Sequence, residues 1–361
     1  MDINIVLDPE YSPQQIAEIA VKAERVGIRA LWSSNYHQHR DAFVALVPAA
    51  LATSKILMGP LAISPWEMHP LKIANAWLTL NEVSGGRAML GVGGGGGVLS
   101  AVGWKAAATA PTWPAKHPTK GTRYPDRRVR AVRECLEILQ GARSGKPTMG
   151  YKGEVFEITR PFQMKWGSTP RPLLYACSTG PQMLVMGARC ADGIQLSDFT
   201  LERLPAVMAC VREGLASRQP AVEGFRLGNF WAWHLKHDRE ASLYEARREL
   251  IWRGPLIGKE VEELARCCTG PEELQLILDH WENFRKAYWT RTGRIDGVPA
   301  DLVNRLIAGL SSAGDLGDLD RELERFQQFK AAGLTELDLR VHDHPMEALD
   351  LIGTHVVPAV Q

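Results

Sequence analysis

Short apolar runs alternate with amphipathic stretches along the first hundred residues, and this alternation limits the fold more than any other feature of the chain. Ile3–Leu7 reads as a buried strand, and Gln14–Val26 places Ile16, Ile19, Ala20, Ala23 and Val26 on one helical face. Gly27 closes that helix. A strand at Arg29–Trp32, a helix at Asp41–Ala52, a strand at Ile56–Ile63, a helix at Leu71–Glu82 and a strand at Ala88–Val92 follow. Units of strand and helix recurring about every 25–30 residues predict parallel strands joined by helical crossovers.

The pattern resumes with strand Leu173–Ala176, helix Pro181–Cys190, strand Gly193–Leu196 and helix Leu201–Ala216. Strands at Arg226–Leu235 and Glu336–Val341 and a helix around Met346–Leu351 complete it. Eight strands favour an α/β fold of the closed (β/α)8, TIM-barrel type over an eight-stranded doubly wound sheet. A single barrel domain over 1–361 is expected, with insertions at about 97–126, rich in Pro, Lys and Ala, and at about 240–330, helical with charged faces. Insertions after barrel strands build the rim of the site, because catalytic groups sit at the strands' C-terminal ends.

Composition removes several classes of function. Lys and Arg number 42 against 41 Asp and Glu, a net charge of +1, so no global field draws the chain to nucleic acid or an anionic membrane. Hydrophobic residues at 45% suit a globular core. The six cysteines (135, 177, 190, 210, 267 and 268) form no CxxC pair, and Cys267 and Cys268 are expected to pack within a helix. The start, MDINIVLDPEYS, lacks a signal-peptide pattern and no apolar run is long enough to span a bilayer, which places the expected location in the cytoplasm.

Three segments carry candidate chemistry. AMLGVGGGGG, residues 88–97, contains G-x-G-x-x-G at Gly91, Gly93 and Gly96, but no acidic residue occurs from 97 to 125, so the dinucleotide fingerprint fails. The glycines instead leave bare backbone at the end of the fourth strand, where N–H groups can approach a phosphate or a flat ring. ACSTGPQML, residues 176–184, ends a strand and opens a helix at Pro181, with Ser178 and Thr179 beside its N-terminus, a place suited to phosphate. In ISPWEMHP, residues 63–70, Ser64-Pro65 forces extended or bulged backbone, and His69 can bond a ring carbonyl or move a proton. Lys105, Lys116, Lys120, Arg123, Arg127, Arg128, Arg130 and Arg133 form a basic stretch that either meets an anionic ligand or is the solvated face of a helix. The pairs His37/His39 and His342/His344 look like metal ligands, but they end strands two and eight and no carboxylate set completes a site, so no metal is expected.

Taken in order, SPWEMHP, LTLNEVSGGRAMLGVGGGG (78–96) and STGPQMLVMGARCADGIQLS (178–197) resemble the bacterial-luciferase-like superfamily of flavin-dependent oxidoreductases. The resemblance runs over about residues 1–200 and returns in ELDLRVHDHPMEALDLI. It implies a (β/α)8 barrel with the cofactor ring in its mouth. Ser64 and backbone at Gly93, Gly94 and Gly95 would contact the ring, and Ser178, Thr179, Gly180 and Gln182 would hold the phosphate. Substrate would lie among Asp8, Asn35 and Ser197, with His69 and His37 in catalytic, proton-transfer roles. The run of five glycines and the region 104–125 depart from the family pattern, so substrate identity does not transfer.

The leading expectation is a two-component monooxygenase using reduced FMN, supplied by a separate flavin reductase, and dioxygen on a small organic substrate. SPWEMHP also resembles the segment of the branch that uses the 8-hydroxy-5-deazaflavin coenzyme, which gives a hydride-transfer dehydrogenase or reductase as the alternative. A third reading is a non-catalytic flavin-binding barrel, favoured if Trp104 and Trp113 close the substrate space. A homo-oligomer is expected through helical faces carrying Phe43, Leu46 and Trp77.

Overall fold

A computed structural model describes residues 1–102, 125, 127–221 and 223–360. Eight parallel strands form one sheet: β1 (Asp2–Leu7), β2 (Ala30–Ser34), β3 (Leu57–Leu61), β4 (Met89–Val92), β7 (Leu173–Cys177), β8 (Gly193–Ser197), β9 (Arg226–Ala232) and β10 (Glu336–Val341). Their order is β3-β2-β1-β10-β9-β8-β7-β4. A small antiparallel hairpin, β5 (Tyr151–Lys152) and β6 (Glu157–Ile158), lies between β4 and β7 in the chain and has no counterpart in the sequence reading. Its two-residue strands are too short to show a period.

The sheet closes between β3 and β4 through bridges at Met58–Ala88 and Ile63–Val92 and bonds from Met58 N to Arg87 O (2.9 Å) and Ile63 N to Gly91 O (2.9 Å). Gly59 makes that seam possible, since a Cβ there would sit 2.1 Å from the Met89 carbonyl oxygen. The result is the (β/α)8 barrel, not the doubly wound sheet. The first crossover shows how local sequence builds it. Ser12 and Gln15 form a capping box, Pro13 starts the helix Pro13–Arg25, and Ile16, Ile19, Ala20 and Ala23 are buried against the sheet.

The helix expected over Asp41–Ala52 is shorter. A 3-10 turn at Val44–Leu46 precedes a helix at Val47–Ala52, because Pro48 starts a helix better than it continues one. Phe43, Leu46 and Trp77 lie inside the chain's own core, which removes them as an oligomer surface. The helical excursion has a core of its own that includes Leu256, Phe284, Leu302 and Leu306. It gives way to the barrel earlier than expected: helix Leu319–Ala331 packs Phe326 and Phe329 into the main core. Cys267 and Cys268 follow the helix Val261–Ala265 and pack half-buried against the second core. The stretch holding Lys105, Lys116, Lys120, Arg123, Trp104 and Trp113 lies outside the described residues. Among those described, no helix is long and apolar enough to cross a membrane.

Alternate residues of a strand face opposite sides, and on β10 this sends Leu337, Leu339 and Val341 to the helices and Glu336, Asp338 and Arg340 into the barrel. Glu336 accepts bonds from Arg29 (2.8 Å), Tyr175 (2.9 Å) and Gln195 (3.1 Å) and pairs with Arg226. Asp338 accepts from Trp32 Nε1 (2.7 Å) and Asn4 Nδ2 (2.9 Å), both on Oδ1. Burial, with the Glu336 carboxylate close by, pushes Asp338 up to about 7.

Two expectations follow. Gly59→Ala pries the seam apart and lowers unfolding stability by about 3 kcal/mol, read by urea denaturation. Because the folded state holds the Asp338 proton more tightly than the unfolded chain, stability falls as pH rises from the ordinary carboxylate range to about 7 and is flat with respect to this group above it. Asp338→Asn removes that slope in denaturation series from pH 5 to 8.

Candidate active site

The C-terminal ends of the strands surround a cavity of 320 Å³ whose wall and floor include Ala62, Gly93, Gly94, Ser178, Thr179 and Gln195. A larger cavity of 660 Å³ opens above it and shares Asn35, Tyr36, Ala62 and Arg340 with it. Both fall in the size range of small-molecule and cofactor sites.

One side of the inner cavity suits a phosphate. Helix Pro181–Cys190 has Gly180 at its N-cap with no side-chain cap bond, so its first N–H groups face outward at the positive end of the helix dipole. A Cβ on Gly94 or on Gly180 would meet nothing within 4 Å, which leaves room for a ligand against bare backbone. Ser178 is buried, with its hydroxyl 3.3 Å from the Met183 carbonyl oxygen, and Thr179 lies exposed beside it. Gln182 is not among the residues lining the inner cavity; it lines an outer groove of 970 Å³ with Arg127, Arg130, Arg133 and Arg189. Arg127 and Arg130 pair with Glu154 and Arg133 with Glu137, so these side chains form a solvated, partly neutralised face that still carries five arginines against Glu154 and Glu213.

The other predicted residues divide into those at the mouth and those that shape it. Gly95, at φ 71°, covers Ser64: a Cβ on Gly95 would lie 2.4 Å from the Ser64 hydroxyl, which also accepts from Trp66 N at 3.2 Å. Ser64 therefore lies beneath the glycine loop and outside the lining of the inner cavity. His69 caps the helix Pro70–Val83, accepting from Leu71 N at 3.2 Å, and sets its edge against Phe156 at 5.7 Å. It lines neither cavity. His37 is exposed on the rim of the outer cavity. Asn35 Nδ2 donates to the Ala62 carbonyl (3.1 Å) and Glu67 Oε1 (2.9 Å) and borders both cavities. The Ser197 hydroxyl lies 3.0 Å from Asp198, which pairs with the buried Arg253 at 2.7 Å.

Asp8 pairs with Arg340 and with His342 Nδ1 at 2.8 Å. Burial alone would raise its carboxyl, but Arg340 and His342 hold it well below the usual carboxylate range, so the pair stays ionised. His342 stacks on His234 at 4.9 Å, and His234 Nδ1 lies 2.7 Å from Glu245. Burial brings His234 down to about 4, so this stacked ring is neutral near pH 7. His342 is therefore built into the network behind the mouth, while His344 starts the helix Pro345–Leu351 at φ 58°. Cys177, on the cavity floor, has its thiol pushed far up by burial, which keeps it from acting as a thiolate.

Sequence reasoning missed Arg340, Gln195, Phe230 and Tyr36 on the cavity walls and the aromatic residues of the excursion. The alternation in Glu-Leu-Asp-Leu-Arg-Val at 336–341, with a charge at every second position of an otherwise apolar strand, was a usable signal for Arg340.

Comparison with known proteins agrees with this architecture. The chain is 24% identical over its full length, and that of its relative, to 5,10-methylenetetrahydromethanopterin reductase of Archaeoglobus fulgidus. Among solved structures it resembles the coenzyme F420 dependent tetrahydromethanopterin reductase of Methanopyrus kandleri at a TM-score of 0.81 and 22% identity, covering 100% of this chain and 99% of that one. It also resembles the oxygenating constituent of 3,6-diketocamphane monooxygenase from Pseudomonas putida, solved with FMN, at a TM-score of 0.62 and 20% identity over 100% and 99% of the two chains. The family model for luciferase-like monooxygenase matches residues 5–336. With that match over most of its length, laid on an eight-stranded barrel of the same fold, the chain belongs to the luciferase-like family.

Proposed function

We propose that the protein is a deazaflavin-dependent oxidoreductase that moves a hydride between coenzyme F420 and a small organic substrate. This reverses the order of the two readings drawn from the sequence, in which reduced FMN and dioxygen came first. The observation that carries it is the arginine-lined groove that starts at Gln182, next to the uncapped helix N-terminus. FMN ends at its phosphate, whereas the deazaflavin coenzyme continues past its phosphate into an acidic tail, and a cationic groove in that position gives the tail a place to lie. The full-length similarity to a tetrahydromethanopterin reductase named for F420 points the same way.

In this reading Ser178, Thr179 and the first N–H groups of helix Pro181–Cys190 hold the phosphate, with Gly180 giving it access. Gly93 and Gly94 offer backbone to the ring, and Gly95 fixes the loop over Ser64. When bound, the coenzyme supplies a two-electron hydride carrier, and the protein's part is to orient it and keep water out. Asn35, Ser197 and the Asp8–Arg340 pair border the space above the ring. His37, on the rim, would exchange a proton with substrate, and His69 would act indirectly by fixing the helix Pro70–Val83. Among the described residues the rim of the outer cavity is exposed, which supports an enzyme over a storage barrel. A separate flavin reductase belongs to the FMN reading alone.

Anaerobic titration with the reduced deazaflavin coenzyme and, separately, reduced FMN, followed by admission of air, tests the assignment. The deazaflavin is expected to bind more tightly, with no oxygen-dependent product. Tighter binding of reduced FMN with oxygen-dependent turnover of an organic substrate would restore the monooxygenase. The double substitution Ser178→Ala, Thr179→Ala should weaken coenzyme binding about tenfold, the scale of one or two lost hydrogen bonds, with the thermal midpoint unchanged. Replacing Arg130 and Arg133 with alanine should weaken the deazaflavin coenzyme severalfold at low salt, leave FMN affinity unaltered, and lose its effect as salt is raised.

A further inference from the structure

On the face of the barrel opposite the mouth, a groove of 870 Å³ is lined by Arg143, Lys146, Arg171, Arg189 and Arg218, with no aspartate or glutamate among the described residues of its lining. Three crossover helices end there. Arg143 closes the helix Arg128–Arg143, Arg189 lies in the last turn of Pro181–Cys190, and Arg218 follows Leu204–Ala216. Lys146 and Arg171 belong to the segment that leads from the first of these helices to β7.

Cations at helix C-termini have an ordinary structural use, because they meet the negative end of the helix dipole. Arg218 is partly used in this way: its Nη1 donates to the carbonyls of Ala188 (3.0 Å) and Ala191. That use does not absorb the charge. Among the described residues Asp192 is the one carboxylate paired with any of the five cations. Its Oδ1 accepts from Arg143 at 3.1 Å and from Arg171 at 2.9 Å, and its Oδ2 accepts from Arg143 and from Leu174 N at 3.0 Å, so it is already filled. Arg189 Nε donates to a hydroxyl, Ser217 Oγ, at 2.6 Å. Lys146 is exposed and has no ion-pair partner among the described residues. Burial first, and then the neighbouring Arg143 and Arg171, disfavour the charged form of Arg218, with Asp192 opposing them. An anion in the groove would relieve that repulsion.

The lining also narrows the kind of anion. Pro220 and Ala221 are its apolar members and no aromatic ring borders it, so a guest is held by charge and hydrogen bonds and not by stacking. Guanidinium forks match the oxygens of phosphate groups, and two linked phosphates answer more of the unmatched charge than one. We infer that this groove binds a diphosphate group, free or carried by a nucleotide, at a site separate from the barrel mouth. The inference does not depend on which coenzyme the mouth takes.

Calorimetric titration of the full-length protein with inorganic pyrophosphate at low salt tests it. A binding event is expected that Lys146→Ala combined with Arg171→Ala weakens about tenfold or more, the scale of one charge-assisted hydrogen bond. Both residues are exposed, and Lys146→Glu alone, at a side chain with no ion pair to lose, should weaken it at least as much with the thermal midpoint unchanged. Arg189 also borders the Gln182 groove, so it is left intact. Orthophosphate should bind at least tenfold more weakly than pyrophosphate. Titration with ADP separates the two sources: ADP binding that Lys146→Glu removes assigns the diphosphate of a nucleotide, and binding of pyrophosphate without ADP assigns the free ion. Absence of pyrophosphate binding at millimolar concentration, indifference to the Lys146 and Arg171 substitutions, or equal affinity for orthophosphate would overturn the inference. So would loss of the binding event in Arg130→Ala with Arg133→Ala or in Ser178→Ala with Thr179→Ala, since the ion would then sit in the Gln182 groove or at the mouth.

Discussion

Three charged side chains from one strand, Glu336, Asp338 and Arg340, stand inside the barrel, and the other strands are arranged to meet them. Barrel interiors are more often filled by layers of branched apolar residues. Here each layer instead needs a set of polar partners, because a buried carboxylate or guanidinium left unmatched costs several kcal/mol. Arg29, Arg226, Tyr175 and Gln195 converge on Glu336 at the base, and Asn4 and Trp32 meet Asp338 in the middle. Asp8 and Tyr36 meet Arg340 at the top. These partners come from β1, β2, β7, β8, β9 and the segments next to them, so one strand's polarity fixes the relative register of most of the barrel.

The top layer is where this requirement becomes a site. Arg340 cannot leave Asp8 without separating two largely covered opposite charges, and Asp8 is tied in turn to His342. Behind them the stacked His342–His234 pair leads to Glu245, which also accepts from Lys236 Nζ at 2.9 Å and from Asp343 N at 3.0 Å. Glu245 belongs to helix Arg239–Glu249, the first of the excursion, and Arg248 on the same helix pairs with Asp343 at 2.7 Å. The mouth and the excursion are thus joined by a buried polar network, which sets the excursion's distance from the barrel more narrowly than apolar contact alone would.

The barrel was largely legible from sequence because parallel strands buried on both faces read as short apolar runs, and the helices between them carry clear start signals such as the Ser12 cap and Pro181. That Gly93, Gly94, Ser178 and Thr179 would line one cavity was legible for the same reason: they sit at strand ends, and strand ends converge in a barrel. What the sequence hid depends on contacts between distant residues. Ser64 looked like a ring contact because nothing local reveals that Gly95 closes over it. His69 looked catalytic because a histidine before a helix-starting proline does not show whether its ring turns to the mouth or to its own helix. The far wall of the outer cavity was invisible, since Trp252, Tyr288 and Trp289 line it together with Asp8 and Tyr36 from more than two hundred residues away in the chain. Helix Leu319–Ala331 read as part of the excursion because charged residues cover its outer face, while Phe326 and Phe329 on the inner face belong to the barrel.

The excursion's separate apolar core has a consequence for how such a protein changes over generations. Leu256, Phe284, Leu302 and Leu306 hold that lobe together without relying on the packing between strands and crossover helices. A substitution at Trp289 or Tyr288 therefore alters the face that borders the outer cavity while leaving the barrel's own packing untouched. The lobe and the barrel can drift at different rates, so a lineage can vary the rim without first surviving a loss of folding in the barrel.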